Sequence, residues 1–128
     1  MVQGWNDGSE DYNVIHRLRK DLAVYEDFVA YVRSKKPQAM HPEDEACLAS
    51  MGLGGESGEL IDIVKKHVFH KTPLDREKLL DEAGDVLHYL TWLLDLYGFS
   101  LSAAISANRK KLDARYPGGW VEGGGIRE

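Results

Sequence analysis

Two pairs of acids have spacing that could do chemistry: Glu56 with Glu59, and further along the chain Glu82 with Asp85. A three-residue interval on a helix places two side chains about 60° apart on one face. Repulsion and desolvation oppose ionisation of such neighbouring carboxylates unless a cation stands between them. Two pairs facing each other would form a site of hard oxygen donors, which suits Mg²⁺ or Mn²⁺.

A solvated face is the ordinary explanation of a single acidic pair. Here both pairs fall on partly apolar stripes. With Leu79 at zero, Leu79, Leu80, Ala83, Val86, Leu87, Leu90, Leu93 and Leu94 fill an arc from roughly 320° through 0° to 100°. Glu82 falls near 300°, between Leu93 and Tyr89, and Asp85 near 240°, between Leu96 and Trp92. With Leu48 at zero, Glu56 and Glu59 fall at roughly 80° and 20°, bracketing Ile63, and Lys66 falls near 0°. Acids bordering a core on two separate helices weaken the solvated-face explanation.

Opposite charge comes from Asn108, Lys111 and Arg115, whose i, i+3 and i+7 spacing makes one helical stripe able to clamp phosphate oxygens. Cations in a last helical turn also favour the helix dipole, so the stripe has a purely structural explanation as well. Gly52, Gly54, Gly55 and Gly58 crowd a segment otherwise patterned as helix, each costing about 1 kcal/mol relative to alanine. That cost predicts the close approach of another backbone or a ligand. The glycines match neither GxGxxG nor GxxxxGK[ST] and follow no strand, which excludes a phosphate-cradling loop.

The elements that must position these residues are helices. Prolines at 37, 42, 73 and 117 punctuate the chain without interrupting a periodic stretch, and strand alternation is missing. The spacing predicts an all-α bundle of about four helices. The first runs from near Tyr12 to Ser34 on the repeat of Ile15, Leu18, Leu22, Tyr25, Val29 and Val32. Pro42 with Glu43 and Asp44 starts a second, which continues to about His70. A third begins at Thr72–Asp75, either by a Thr-x-x-Asp capping pattern or with Asp75 itself as the cap, and stops at Gly98. Ser100 caps a fourth through about Arg115, which Tyr116-Pro117-Gly118-Gly119 ends. Residues 1–16 read as a polar, partly helical leader, 17–117 as the domain, and 118–128 as a glycine-rich tail.

The 128-residue length fits one domain able to fold without staples, and the lone Cys47 excludes a disulfide scaffold. The first ten residues lack a signal-peptide pattern and no segment approaches 18 apolar residues, so the expected setting is cytoplasmic, away from membrane. A net charge of −5 argues against broad binding of a nucleic-acid backbone. The third helix is apolar over more than half its circumference, which predicts a homo-oligomer, either a dimer or a tetramer.

The runs GLGGESGELIDIVKKHVFH, LLDEAGDVLHYL and NRKKLDARYPGGW resemble the MazG-like family of all-α nucleoside triphosphate pyrophosphohydrolases. Its ExxE and ExxD hallmarks correspond to Glu56-Ser57-Gly58-Glu59 and Glu82-Ala83-Gly84-Asp85, and the likeness covers about residues 44 to 120. The resemblance implies an oligomeric bundle that binds Mg²⁺ through the four acids and splits a nucleoside triphosphate into monophosphate and pyrophosphate. It also implies phosphate contacts from Lys66, Asn108, Lys111, Arg115 and Tyr116. By wheel position Met51, Tyr89 and Trp92 are candidate walls for a base, each competing with a role in core packing.

His88 stands where family members often have an aromatic residue, and it could tune substrate choice. It also makes an Asp85-x-x-His88 unit of the kind found in di-iron bundles. That alternative needs two such units, and neither His67 nor His70 follows an acid at the required spacing. A noncatalytic nucleotide-binding or interaction module is a third alternative, which the four intact acids disfavour.

Overall fold

The computed structural model describes residues 9–36 and 40–119. They form four helices, α1 (Ser9–Ser34), α2 (Pro42–Phe69), α3 (Arg76–Leu96) and α4 (Leu101–Arg115), and no strand occurs among them. The all-α expectation holds. α1 starts three residues earlier than its periodicity predicts and runs through the expected leader boundary at 16/17. The first eight residues of that leader, and the tail from 120 onward, lie outside the described residues.

Local chemistry sets the helix ends. At α2, Pro42 occupies the first turn and the His41 ring accepts from the Glu43 amide at 3.3 Å. Asp75 is the cap of α3, its carboxylate accepting from the Lys78 amide at 3.0 Å, which decides between the two expected caps. Ser100 caps α4 through the Ala103 amide at 3.1 Å. Gly98, at φ 77°, takes the left-handed turn that ends α3 and lets the Phe99 amide reach the Leu94 carbonyl at 2.9 Å.

α2 and α3 form the central antiparallel pair, as matched contacts running in opposite directions show: Glu45 meets Trp92, Gly52 meets Tyr89, and Glu56 meets Glu82 and Asp85. α1 packs on α3 and α4. Val29 of α1, Ala49 of α2 and Trp92 of α3 make the buried centre, with Tyr25, Tyr89, Leu93 and Leu96 against it. Val29 is 1% exposed, and its burial contributes roughly 1.5–3 kcal/mol.

Polar contacts hold α1 to the pair. Glu45, buried at the start of α2, accepts from Trp92 Nε1 at 3.0 Å and pairs with Arg33 Nε at 3.1 Å and Lys36 Nζ at 2.6 Å. Arg33 also pairs with Asp95 near the end of α3. About two turns earlier on α1, Glu26 accepts from the Leu101 amide at 3.0 Å and so helps cap α4.

Only one glycine of the α2 cluster fits the expectation of close approach. A Cβ at Gly52 would overlap the Tyr89 ring, whereas Gly54, Gly55 and Gly58 have nothing within 4 Å of that position. The approaching group is a side chain rather than backbone, because α3 packs the Tyr89 ring against the α2 surface there. Gly54→Ala should therefore raise the stability of the chain by up to about 1 kcal/mol. Gly52→Ala should lower it by roughly 1–3 kcal/mol through overpacking. Urea midpoints of the two variants check this, and a Gly52→Ala protein more stable than the parent would contradict the packing described.

Much apolar surface stays uncovered in the single chain. Met51, Ile61, Phe69 and Leu80 are each at least two-thirds exposed. No single helix among the described residues is long and apolar enough to cross a membrane.

Candidate functional site

Gly52 lets α3 lie close to α2, and one turn further along α2 the side chain of Glu56 meets Glu82 and Asp85 from α3. A carboxylate oxygen from each of Glu56, Glu82 and Asp85 lies within 4.8 Å of the other two. Glu56 and Glu82 are half-buried and Asp85 is exposed. Glu59 is exposed and stands outside this trio, although its charge is felt at Glu82.

Partial burial pushes the Glu82 carboxyl above its usual range, and hydrogen bonding with Glu56 and the negative charges of Glu56, Glu59 and Asp85 push it the same way. Among the described residues no ion pair reaches any of the four acids. Like charges held together without a counter-ion favour whatever cation can enter. Opposite ligands of an octahedral Mg²⁺ stand about 4.2 Å apart, so these three oxygens fit a hard divalent ion with small side-chain adjustments. Among the described residues, the one group of three or more candidate ligands contains no histidine. His88 lies edge-on to Tyr89 and Trp92, with centroids at 5.2 and 6.1 Å.

Of the expected phosphate residues, Lys66 lies close enough to Glu59 to sense its charge. Lys66 is held by Asp62 at 2.6 Å, and this hydrogen bond and charge raise its pKa above the ordinary lysine value. Asn108 lines a groove with Leu22, Leu87, Leu90 and Leu112. Lys111 is exposed, while Arg115 and Tyr116 are half-buried where α4 ends, the Tyr116 amide bonding the Leu112 carbonyl at 2.7 Å.

Of the candidate base walls, Met51 is 75% exposed on α2. Trp92 is buried, stacked on Tyr89 at 6.0 Å and tied through its indole to Glu45. Tyr89 fills the space over Gly52.

Sequence reasoning missed three participants. Tyr25 of α1 is half-buried, packs on the central cluster and lies close enough to Asp85 to sense its charge. Burial first, and then that charge, raises the phenol above its usual range. A tyrosine inside an otherwise aliphatic stripe was the available signal. Asp62 was unremarked, although its i+4 spacing to Lys66 is that of a helical ion pair. Glu45 carries no local signal, since its partners lie on other helices.

The central pair of helices in this all-α bundle brings together carboxylates from the ExxE and ExxD segments. The chain matches the MazG nucleotide pyrophosphohydrolase domain over residues 48–120 and belongs to that family. It is also similar to the Gene 37 protein of Mycobacterium phage L5, 36% identical over 80 residues that span 59% of this chain and 70% of the phage protein. No solved structure matches the chain.

Proposed function

We propose that the protein is a metal-dependent nucleoside triphosphate pyrophosphohydrolase, converting a ribo- or deoxyribonucleoside triphosphate and water into the monophosphate and pyrophosphate. The observation that carries this reading is the meeting of Glu56, Glu82 and Asp85 in a chain of the MazG family. Glu56, Glu59, Glu82 and Asp85 would hold Mg²⁺, with Mn²⁺ as a substitute. When bound, such an ion polarises phosphoryl oxygens, offsets triphosphate charge and makes a water more acidic.

The chain's own residues then have distinct tasks. The carboxylates hold the ion and accept hydrogen bonds from the attacking water. Lys66, Asn108, Lys111, Arg115 and Tyr116 bind and orient the phosphate chain, because phosphoryl transfer depends on positioning and charge more than on covalent chemistry. Met51 offers an exposed apolar wall on the acid-bearing helix α2, and His88 a polar edge that discriminates between bases. The bundle acts as a homodimer or homotetramer in the cytoplasm, and its uncovered apolar side chains support that assembly.

Pyrophosphate release from the eight common NTPs and dNTPs, dUTP and damaged purine nucleotides tests the proposal with Mg²⁺, with Mn²⁺ and with EDTA. The expected result is monophosphate and pyrophosphate formed only with metal. Silence with every substrate and both metals would reject the activity. Lys111→Ala should weaken triphosphate binding by about 1.5–3 kcal/mol through loss of a charge-assisted contact. Unchanged KM and kcat across the panel would remove Lys111 from the site.

A further inference from the structure

α1 and α3 run side by side in the same direction. Leu22 shares a groove with Leu87 and Leu90, Val29 shares the buried centre with Trp92, and Arg33 pairs with Asp95. Tyr25 packs against that centre from α1, as Tyr89 does from α3. Asp85, Tyr89 and Trp92, at i, i+4 and i+7, fall within about 60° of one another, so Asp85 continues the same stripe of α3. Tyr25 stands one turn, about 6 Å, before Val29, whereas Asp85 stands about 10.5 Å before Trp92 on the parallel course. A helical side chain leans over the turn N-terminal to its own Cα. On α1 that lean carries the phenol toward the level of Asp85, across the remaining distance of about 4.5 Å.

The hydroxyl at the end of this ring has no packing task. Tyr25 is half-buried, it senses the Asp85 charge, and among the described residues its hydroxyl makes no hydrogen bond. Asp85 has the complementary need. It is the exposed member of the carboxylate trio, while Glu56 and Glu82 are half-buried, so packing fixes Asp85 least. One of its oxygens joins the trio, and the other is left to accept. A neutral phenol suits that task, because it can hold a carboxylate without cancelling the charge that a metal ion needs.

We propose that Tyr25 is a positioning residue of the carboxylate site: its hydroxyl donates to the outer oxygen of Asp85 and fixes the rotamer from which the inner oxygen joins Glu56 and Glu82 around a divalent cation. The proposal rests on the carboxylate reading above. It gives α1, which carries none of the four acids, a part in the metal site.

Tyr25→Phe tests it, since the ring and its packing stay and only the hydroxyl is lost. The Mg²⁺ concentration that gives half of the maximal rise in melting temperature should increase about tenfold, as for loss of an outer partner of a metal ligand. The Mg²⁺ concentration for half-maximal pyrophosphate release should move with it, and turnover should recover at saturating Mg²⁺. The melting temperature without metal should stay close to that of the wild type. Added Mg²⁺ should also produce a tyrosine difference spectrum in the wild type that Tyr25→Phe lacks. Tyr31→Phe, a change at a 60%-exposed ring on the same helix, should leave the Mg²⁺ dependence unaltered.

Wild-type Mg²⁺ dependence in Tyr25→Phe would overturn the proposal, and a lowered metal-free melting temperature beside it would assign the hydroxyl to packing alone. An equal shift in Tyr31→Phe would also overturn it, because the effect would then belong to α1 as a whole. A wild type that Mg²⁺ neither stabilises nor activates would reject the carboxylate reading and this one with it. If Mg²⁺ stabilises and activates the wild type and only the Tyr25→Phe shift is missing, the carboxylate reading stands and Tyr25 has no part in it.

Discussion

Glu82→Gln should lower Mg²⁺-dependent turnover by at least about 100-fold, because loss of even an outer partner of a metal ligand costs 10–100-fold. The helical fold should survive the change. Glu82 is half-buried on α3 and sits among Glu56, Glu59 and Asp85, which together with its burial raise its carboxyl above the ordinary value. A raised carboxyl in the folded state favours folding while protonated, and that advantage is lost as the pH climbs through the raised value. The metal-free wild type should therefore weaken as the pH rises above the usual glutamate value of 4.5, and Glu82→Gln should weaken less. Below that value the two should be close, since Glu82 is then neutral in both folded and unfolded chains. Added Mg²⁺ should raise the melting temperature of the wild type and do so much less for the variant. Thermal melts between pH 4 and 8, with and without Mg²⁺, read out this pattern. Equal stabilisation of both proteins by Mg²⁺ would place the ion elsewhere.

The largest loss of stability is expected at Glu45, far from the carboxylate site. Glu45→Ala leaves the Trp92 indole donor, the Lys36 ammonium and one face of the Arg33 guanidinium without their acceptor. Removing one partner of a buried charge network costs about 3–5 kcal/mol, and the partial exposure of Arg33 and Lys36 places this variant near the lower end. In a domain of this size that loss lowers Tm by roughly 10 °C. The Lys36 hydrogen bond leads the influences that hold the Glu45 carboxyl below its ordinary value, aided by the Trp92 hydrogen bond and the charges of Lys36 and Arg33, with burial opposing. Its contribution is therefore complete above about pH 4.5 and lost as the pH falls through the lowered value. Wild type should begin to lose stability below that point, while Glu45→Ala should show a shallower acid dependence. A variant that melts with the wild type at pH 7 would show that the clasp is not what holds α1 to the α2–α3 pair.

The fold was legible because its signals are local. Helix periodicity, Pro42 in a first turn, Asp75 and Ser100 as caps and Gly98 at a left-handed stop each depend on a few neighbouring residues. The acidic pairs were legible for the same reason, since a three-residue interval in a helix allows only one arrangement of neighbouring side chains. Even the partnership of Glu56 with Glu82 and Asp85 could be anticipated, from acids lying on the apolar edges of two adjacent helices.

Other features depend on how the helices lie against one another, and no local interval encodes that. The cluster of Gly52, Gly54, Gly55 and Gly58 looks uniform in sequence, yet only Gly52 meets a neighbouring ring. Trp92 joins the buried centre, and Tyr89 packs against it. Lys66 is turned to Asp62, and Glu45 finds its partners 9 to 47 residues away. The spacing of Asn108, Lys111 and Arg115 defines a stripe but not the side of α3 on which α4 lies. Periodicity sets which side chains share a face, while the direction in which that face points is set by interhelical packing and long-range ion pairs. That is why the carboxylates could be read from the chain, and the partners of Glu45 and the ring over Gly52 required the tertiary structure.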